Sequence, residues 1–213
     1  MVKSIILHDL TEEISSELTV FPGDPIFEKQ LIHKIEKNQH FCLSKISLSN
    51  HLGTHIDFPS HVILNGKTSS DYAEADLQGN GLVIEVPKKY KSIDSDFLSQ
   101  HEIVENDIVF FKTGNSTLSK TGNFDKNYVY VEPEAAELLV KLKVKMVGID
   151  YLSVDQYESE NLPAHKILLA HDILIIENLN LKKISESRYQ FLIVPSFRIA
   201  HMDGVPVRVF SVS

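Results

Sequence analysis

The chain has 213 residues and a mass of 24.1 kDa, the size of one compact domain, which excludes a multidomain machine. A composition of 43% hydrophobic and 23% charged residues, with Gly 9 and Pro 8, supplies a sizeable core and excludes collagen-like, low-complexity and disordered classes. The net charge is −8 and the 21 basic residues are scattered, so the electrostatic stripe of a nucleic-acid binder is missing, and nucleic acid is not an expected partner. Cys42 is the single cysteine, which removes intramolecular disulfides and four-cysteine zinc sites and fits a reducing, cytoplasmic setting.

Along the chain, Ile5-Ile6-Leu7 is too short for a signal peptide, and no later apolar run approaches the ~20 residues that span a bilayer, so no membrane partner is expected. Strand character falls at Ser4–Leu7, Lys29–Ile35, Cys42–Ser49, Gly81–Val86, Asp107–Lys112, Met146–Ile149, Ile173–Ile176, Phe191–Pro195 and Val205–Val212. Helical spacing falls at Asp96–Gln100, at Pro133–Lys143 and at Ala164–Ala170. The second of these opens with proline and runs from acidic to basic, as the helix dipole favours. Strands and helices alternate with short connections, which predicts an α/β fold, with residues 1–213 as a single domain. The stretch Lys112–Asn127 is polar and reads as an exposed loop.

Ten histidines in an acidic chain without Trp are the exceptional number. The densest chemistry is His51-Leu52-Gly53-Thr54-His55-Ile56-Asp57-Phe58-Pro59-Ser60-His61. His51, His55, Asp57 and His61 share one parity, so an extended chain would gather them on one face while Leu52, Ile56 and Phe58 turn into the core. Gly53 permits an unusual backbone angle and Pro59 cannot continue a central ladder, so the strand breaks into a shaped loop. The bland alternative is a solvated polar strand face. His165 opens a helical run and Glu177 closes the apolar strand Ile173–Ile176. With Asp57 and the imidazoles they could hold two divalent ions at the carboxyl end of a strand.

The segment His51–His61 resembles the motif of the cyclase-like metal-dependent hydrolases, whose best-known members are the bacterial kynurenine formamidases (arylformamidases), with isatin hydrolases as a related branch. The resemblance extends to Phe21-Pro22-Gly23-Asp24-Pro25, to Gly148-Ile149-Asp150 and Ser153-Val154-Asp155, to the spacing of His165 and Glu177, and to Asp203-Gly204-Val205-Pro206-Val207-Arg208. It implies a swivelling β/β/α domain with a mixed central sheet. His51, His55 and Asp57 would bind one metal, Asp57 would bridge to a second held by His165 and Glu177, and His61 would be the proton donor and acceptor. The cations would be two divalent ions, zinc or manganese, able to bring the pKa of water from 15.7 toward ~7. The implied reaction is hydrolysis of a small-molecule aryl amide, N-formylkynurenine to kynurenine and formate in tryptophan catabolism. The competing readings are an isatin-hydrolase-like opening of a cyclic amide and a metal-binding module without turnover. Kynurenine formamidases carry Trp at the aromatic position of the N-terminal turn, where this chain places Phe21 as the substrate-binding residue. Family members are dimers or higher oligomers, so a homo-oligomer, dimer or tetramer, is implied.

His8, His33, His40, His101 and His171 match no motif position and read as surface residues. His201 reads as a turn residue that could approach the site, Asp150 and Asp155 as caps or as partners of ligand imidazoles, and Cys42 as a small buried hydrophobe.

Overall fold

Apolar side chains that alternate between two faces of one sheet set the architecture. The computed structural model describes residues 6–36, 40–118 and 120–212. Its strands are β1 (Leu7–Asp9), β2 (Glu28–His33), β3 (Leu43–Ser47), β4 (His55–Asp57), β5 (Gln78–Glu85), β6 (Ser92–Ile93), β7 (Ile108–Lys112), β8 (Tyr130–Val131), β9 (Met146–Ile149), β10 (Leu174–Glu177), β11 (Ser187–Pro195) and β12 (Gly204–Val212). Its helices are α1 (Ser95–Leu98), α2 (Pro133–Lys141) and α3 (Pro163–Leu169).

The main sheet runs β1-β12-β11-β5-β7-β9-β10-β4, parallel from β5 through β10 and antiparallel elsewhere. The short β4 pairs with both β10 and β12 and so closes the sheet into a barrel. Strand β12 makes this possible by dividing one edge between two neighbours, β4 at Gly204–Pro206 and β1 at Phe210–Val212, while the other edge holds β11. The alternation of elements predicts the α/β class and the family resemblance implies the mixed central sheet, and the fold has both.

Each strand of the parallel core is apolar on both faces, as burial on both sides demands. Val83, Phe110, Met146, Ile176, Phe191 and Val207 fill the barrel interior. Ile84, Phe111, Val147 and Ile175 face outward and pack under α2 and α3 through Ala135, Leu139, Ala164 and Leu168. The outward face of β10 and β4 is where the polar motif residues sit.

Most predicted elements are present with ends shifted by a few residues. Ser4 and Ile5 of the predicted first strand lie outside the described residues, and Leu7–Asp9 forms β1. Strand β11 begins at Ser187, four residues early, because its polar first half pairs with β5 at the solvent side of the sheet. The two-residue pair β6–β8 has no sequence signal. Cys42 is exposed just ahead of β3, a correction to the buried residue expected there. The polar stretch Lys112–Asn127 is a further correction, since Thr113, Asn115 and Ser116 are buried. Asp150 compensates them, accepting from the Thr113 N–H at 2.9 Å, its hydroxyl at 2.7 Å and the Ser116 hydroxyl. Asn115 also pairs twice with the Val129 backbone, at 2.8 and 2.7 Å.

This loop is pinned from below by Lys120, whose Nζ donates to the Asp150 carbonyl at 2.6 Å and to Asn178 Oδ1 at 3.0 Å and lies 5.0 Å from the Tyr151 ring centre. Burial pushes the Lys120 pKa down to about 8 from 10.5, although Asp150 and Glu12 oppose the shift. Above the folded value and below the unfolded one, the unfolded chain holds a proton that the folded chain lacks, so folding gains stability as pH rises. The cost of burying Lys120 is therefore full below pH 8 and relieved toward 10.5. Urea denaturation at pH 7.5 and pH 10 should show the stability advantage of Lys120→Met over the parent shrinking, or its disadvantage growing, by on the order of 2–3 kcal/mol.

Candidate metal centre

The register of β4 assembles the centre. Across the β4–β10 pair Glu177 lies opposite His55 and Ile175 opposite Asp57, so these residues share the outer face while Ile56 and Ile176 enter the barrel. Across the β4–β12 pair Gly204 lies opposite Asp57 on that same face. Helix α3 packs on β10 and delivers the buried His165. His51 comes from the turn before β4, where Gly53 takes φ +68°. His61 ends a single 3-10 turn, Pro59–His61, that proline initiates. The two-residue alternation expected for all four motif residues therefore holds only for His55 and Asp57; the other two arrive by turns.

All six predicted metal and proton-transfer residues meet around the Asp57 carboxylate. Its Oδ1 lies 2.8 Å from His51 Nδ1 and 3.4 Å from His55 Nε2, and its Oδ2 lies 3.5 Å from His165 Nε2. Glu177 offers Oε2 to His55 Nε2 at 3.4 Å and Oε1 to His165 Nε2 at 3.2 Å, and also accepts the Val154 N–H at 2.7 Å. The second ring nitrogen of each imidazole faces an acceptor outside the cluster: Gly53 O at 2.9 Å for His55, Asp155 Oδ2 at 2.6 Å for His165 and Asp203 Oδ2 at 3.1 Å for His51. Those oxygens can only accept, so each neutral ring keeps its N–H there and turns a lone pair inward. Asp57 Oδ2 is buried without a hydrogen bond. Two anions and three inward lone pairs with no donor among them are a donor set for divalent cations. Two triads, His51–Asp57–His61 and His55–Asp57–Glu177, each have donor atoms within 4.8 Å of one another, and Asp57 belongs to both.

Protons compete for the same positions. Burial disfavours charge on all these groups, yet His55, His165 and His51 hold Asp57 well below the carboxylate range, and His165 and His55 lower Glu177. Against the same burial, Asp57 and Asp203 push His51 up to about 9, while the buried acids also raise His55 and His165. His61 differs. Burial, with His51 and His165 beside it, lowers its pKa, so it is neutral at pH 7. Its ring centre stands 4.3 Å from that of His51 and 5.6 Å from that of His165.

The residues around the centre sort cleanly. Asp155 does both things expected of it, accepting the Ala164 N–H at 2.8 Å and the His165 N–H at 3.1 Å at the start of α3 and orienting the His165 ring. Asp150 touches no imidazole and serves the 113–116 loop instead. His201 is exposed at φ +59°, its backbone tied to Ser70, and takes no part. His8, His40 and His171 are exposed, and His33 and His101 are partly covered outside the cluster. Phe21 lies in an aromatic group, 5.4 Å from Phe124 and 6.0 Å from Tyr157 between ring centres. That group reaches the centre through Tyr128, which contacts Phe124 at 5.8 Å and donates its hydroxyl to Asp155 O at 2.6 Å. Asp203 entered the sequence reading only as part of the C-terminal Asp-Gly segment that carries the resemblance, with no role given to it, and the fold places it against His51 and His61.

The "Putative cyclase" family model matches residues 8–156, which include His51–His61. The chain belongs to that family. Kynurenine formamidase of Salinibacter ruber is 31% identical over 205 residues, 95% of each chain. A solved structure of a potential metal-dependent hydrolase with cyclase activity matches at a TM-score of 0.85 and 29% identity over 98% of each chain. Isatin hydrolase A of Labrenzia aggregata shares the fold, with a TM-score of 0.84 at 20% identity over 98% of this chain and 93% of its own.

Within this cyclase site, Gly204 is a steric requirement: a Cβ there would lie 2.5 Å from His51 Cε1. Gly204→Ala should displace the His51 ring and weaken cation retention at least tenfold, while costing only about 1–3 kcal/mol of stability. Isothermal titration with Zn²⁺ alongside thermal unfolding checks both.

Proposed function

We propose that this chain hydrolyses N-formylkynurenine to kynurenine and formate, a step of tryptophan catabolism, using two divalent cations, zinc or manganese. The chain is an amide-bond hydrolase of the cyclase family. The observation that carries the finer reading is the buried Asp57 carboxylate, shared between imidazoles on both of its oxygens and left without a donor on Oδ2. His51, His55 and Asp57 would hold one ion, and Asp57, His165 and Glu177 the other. Bound there, the cations supply Lewis acidity to the carbonyl and to water.

The remaining chemistry falls to the chain's own side chains. His61 is neutral at pH 7, so it can take a proton as water oxygen bonds to the formyl carbon. It then delivers that proton to the aryl nitrogen as the C–N bond breaks, giving an amine and formate. The Phe21–Phe124–Tyr157 group would stack on the aryl ring, with Phe21 offering less surface than the Trp of related formamidases. The second reading, opening of a cyclic amide as in isatin, uses the same attack and is favoured by Phe21 and by the fold shared with isatin hydrolase A.

Initial rates of the metal-loaded protein on N-formylkynurenine and isatin decide between the two. Turnover of N-formylkynurenine should dominate, and dominance of isatin would transfer the assignment to ring opening. Asp57→Asn should lose bound metal by elemental analysis and all turnover. His61→Asn should keep its metal and lose 10²–10⁴-fold in kcat. A metal-loaded parent that turns over neither substrate would leave a metal-binding module, and turnover retained in both variants would remove the chemistry from this site.

The β2–β3 ribbon supports a homodimer: it stands apart from the main sheet and exposes Leu31, Ile32, Ile35, Phe41, Leu43 and Ile46. A two-stranded ribbon needs such faces covered. Light scattering should give twice the 24.1 kDa chain mass, and Leu31→Lys with Ile46→Lys should shift it to monomer.

A further inference from the structure

Asp203 lies outside the donor set yet touches both halves of the proposed chemistry. It sits at the start of β12, and its backbone is fixed on both sides: its carbonyl accepts the Phe58 N–H at 2.8 Å, and the Met202 carbonyl accepts the Ser69 N–H at 2.8 Å. Its carboxylate is fixed as well, because Oδ1 accepts from Asn50 Nδ2 at 2.8 Å. That leaves Oδ2 for two imidazoles, His51 Nε2 at 3.1 Å and His61 Nδ1 at 3.4 Å. Among the described residues, Asp203 is thus the one carboxylate bonded to both a proposed metal ligand and the proposed proton carrier.

We infer that Asp203 is the positioning residue of the reaction, holding the Nδ1–H tautomer of His61, and so its Nε2 as the working nitrogen, through the same oxygen that orients His51. A carboxylate oxygen accepts and cannot donate, so a neutral His61 bonded to it carries its proton on Nδ1. The free nitrogen, Nε2, then takes the proton from water and returns it to the leaving amine. The shared oxygen also fixes the two rings relative to each other, which ties the angle of proton delivery to the position of the ion beside His51. This inference rests on His61 being the proton carrier.

Asp203→Asn tests it with little change of shape. Asn50 would still donate to the one side-chain oxygen that remains, so the new amide would turn its N–H toward the imidazoles and favour the opposite tautomer of His61. The variant should need more Zn²⁺ than the parent to load, because the same amide faces His51 Nε2, and once loaded to the metal content of the parent it should lose about 100-fold or more in kcat and change KM by less than about threefold. ¹⁵N-histidine spectra should show the His61 proton moving from Nδ1 to Nε2. Asn50→Ala, which frees the carboxylate without removing it, should lose roughly tenfold in kcat, and it carries the test if Asp203→Asn fails to fold. Unchanged kcat in the folded variant, or lost kcat with the His61 tautomer unmoved, overturns the inference. His61→Asn as control separates the two claims: if it retains turnover, the proton-carrier reading itself falls, whereas an inactive His61→Asn beside an active Asp203→Asn removes only the role of Asp203.

Discussion

The structure turns on the burial of Asp57. Its carboxylate is fully enclosed, and the surrounding imidazoles are tethered by outward hydrogen bonds to Gly53, Asp155 and Asp203. An isolated buried anion costs many kcal/mol, so the fold must supply positive charge at that point, as protons on the rings or as cations between them. Most of the architecture around the centre can be read as meeting this demand. Strand β4 is only three residues long and holds two of the donors, and its two neighbours bring Glu177 on one side and a side-chain-free Gly204 on the other.

The outward tethers matter as much as the inward ligands. A ring that donates to a fixed acceptor loses rotational freedom before any ion arrives, which lowers the entropic cost of coordination and sharpens its geometry. Asp155 shows how economically this is arranged, since one carboxylate accepts the first N–H groups of α3 and aims the His165 ring. His61 is tethered more loosely and is partly exposed, as suits a group that must trade protons with solvent and substrate.

Much of this was legible in the residues. The His51–His61 run pointed to His51, His55, Asp57 and His61 as candidates, whereas His165 and Glu177 came with the family resemblance; the apolar runs at Asp107–Lys112 and Met146–Ile149 marked buried strands, because identity and periodicity are local signals. The position of Asp203 was not legible as a contact, because its value depends on the pairing of β12 with β4, a register that no local pattern encodes. Parity misdescribed His51 and His61 for a related reason: Gly53 and Pro59 announce turns without saying where the turns lead. The buried 113–116 loop was hidden by its polarity, since Thr113, Asn115 and Ser116 look solvated until Asp150 and Val129 are placed beside them. Cys42 read as interior from its neighbours and lies instead on the open ribbon.

The join between β4 and β12 has one more implication. It brings together residues as far apart in sequence as His51 and Asp203, 152 positions, at the seam where the barrel shuts. Every member of the donor set lies on the β4 side of that seam or on β10 and α3, and the far side adds only Asp203, so the seam sets the aim of the His51 and His61 rings and not the number of donors. Fraying of that joint would release the aim of two imidazoles while leaving the donors themselves in place.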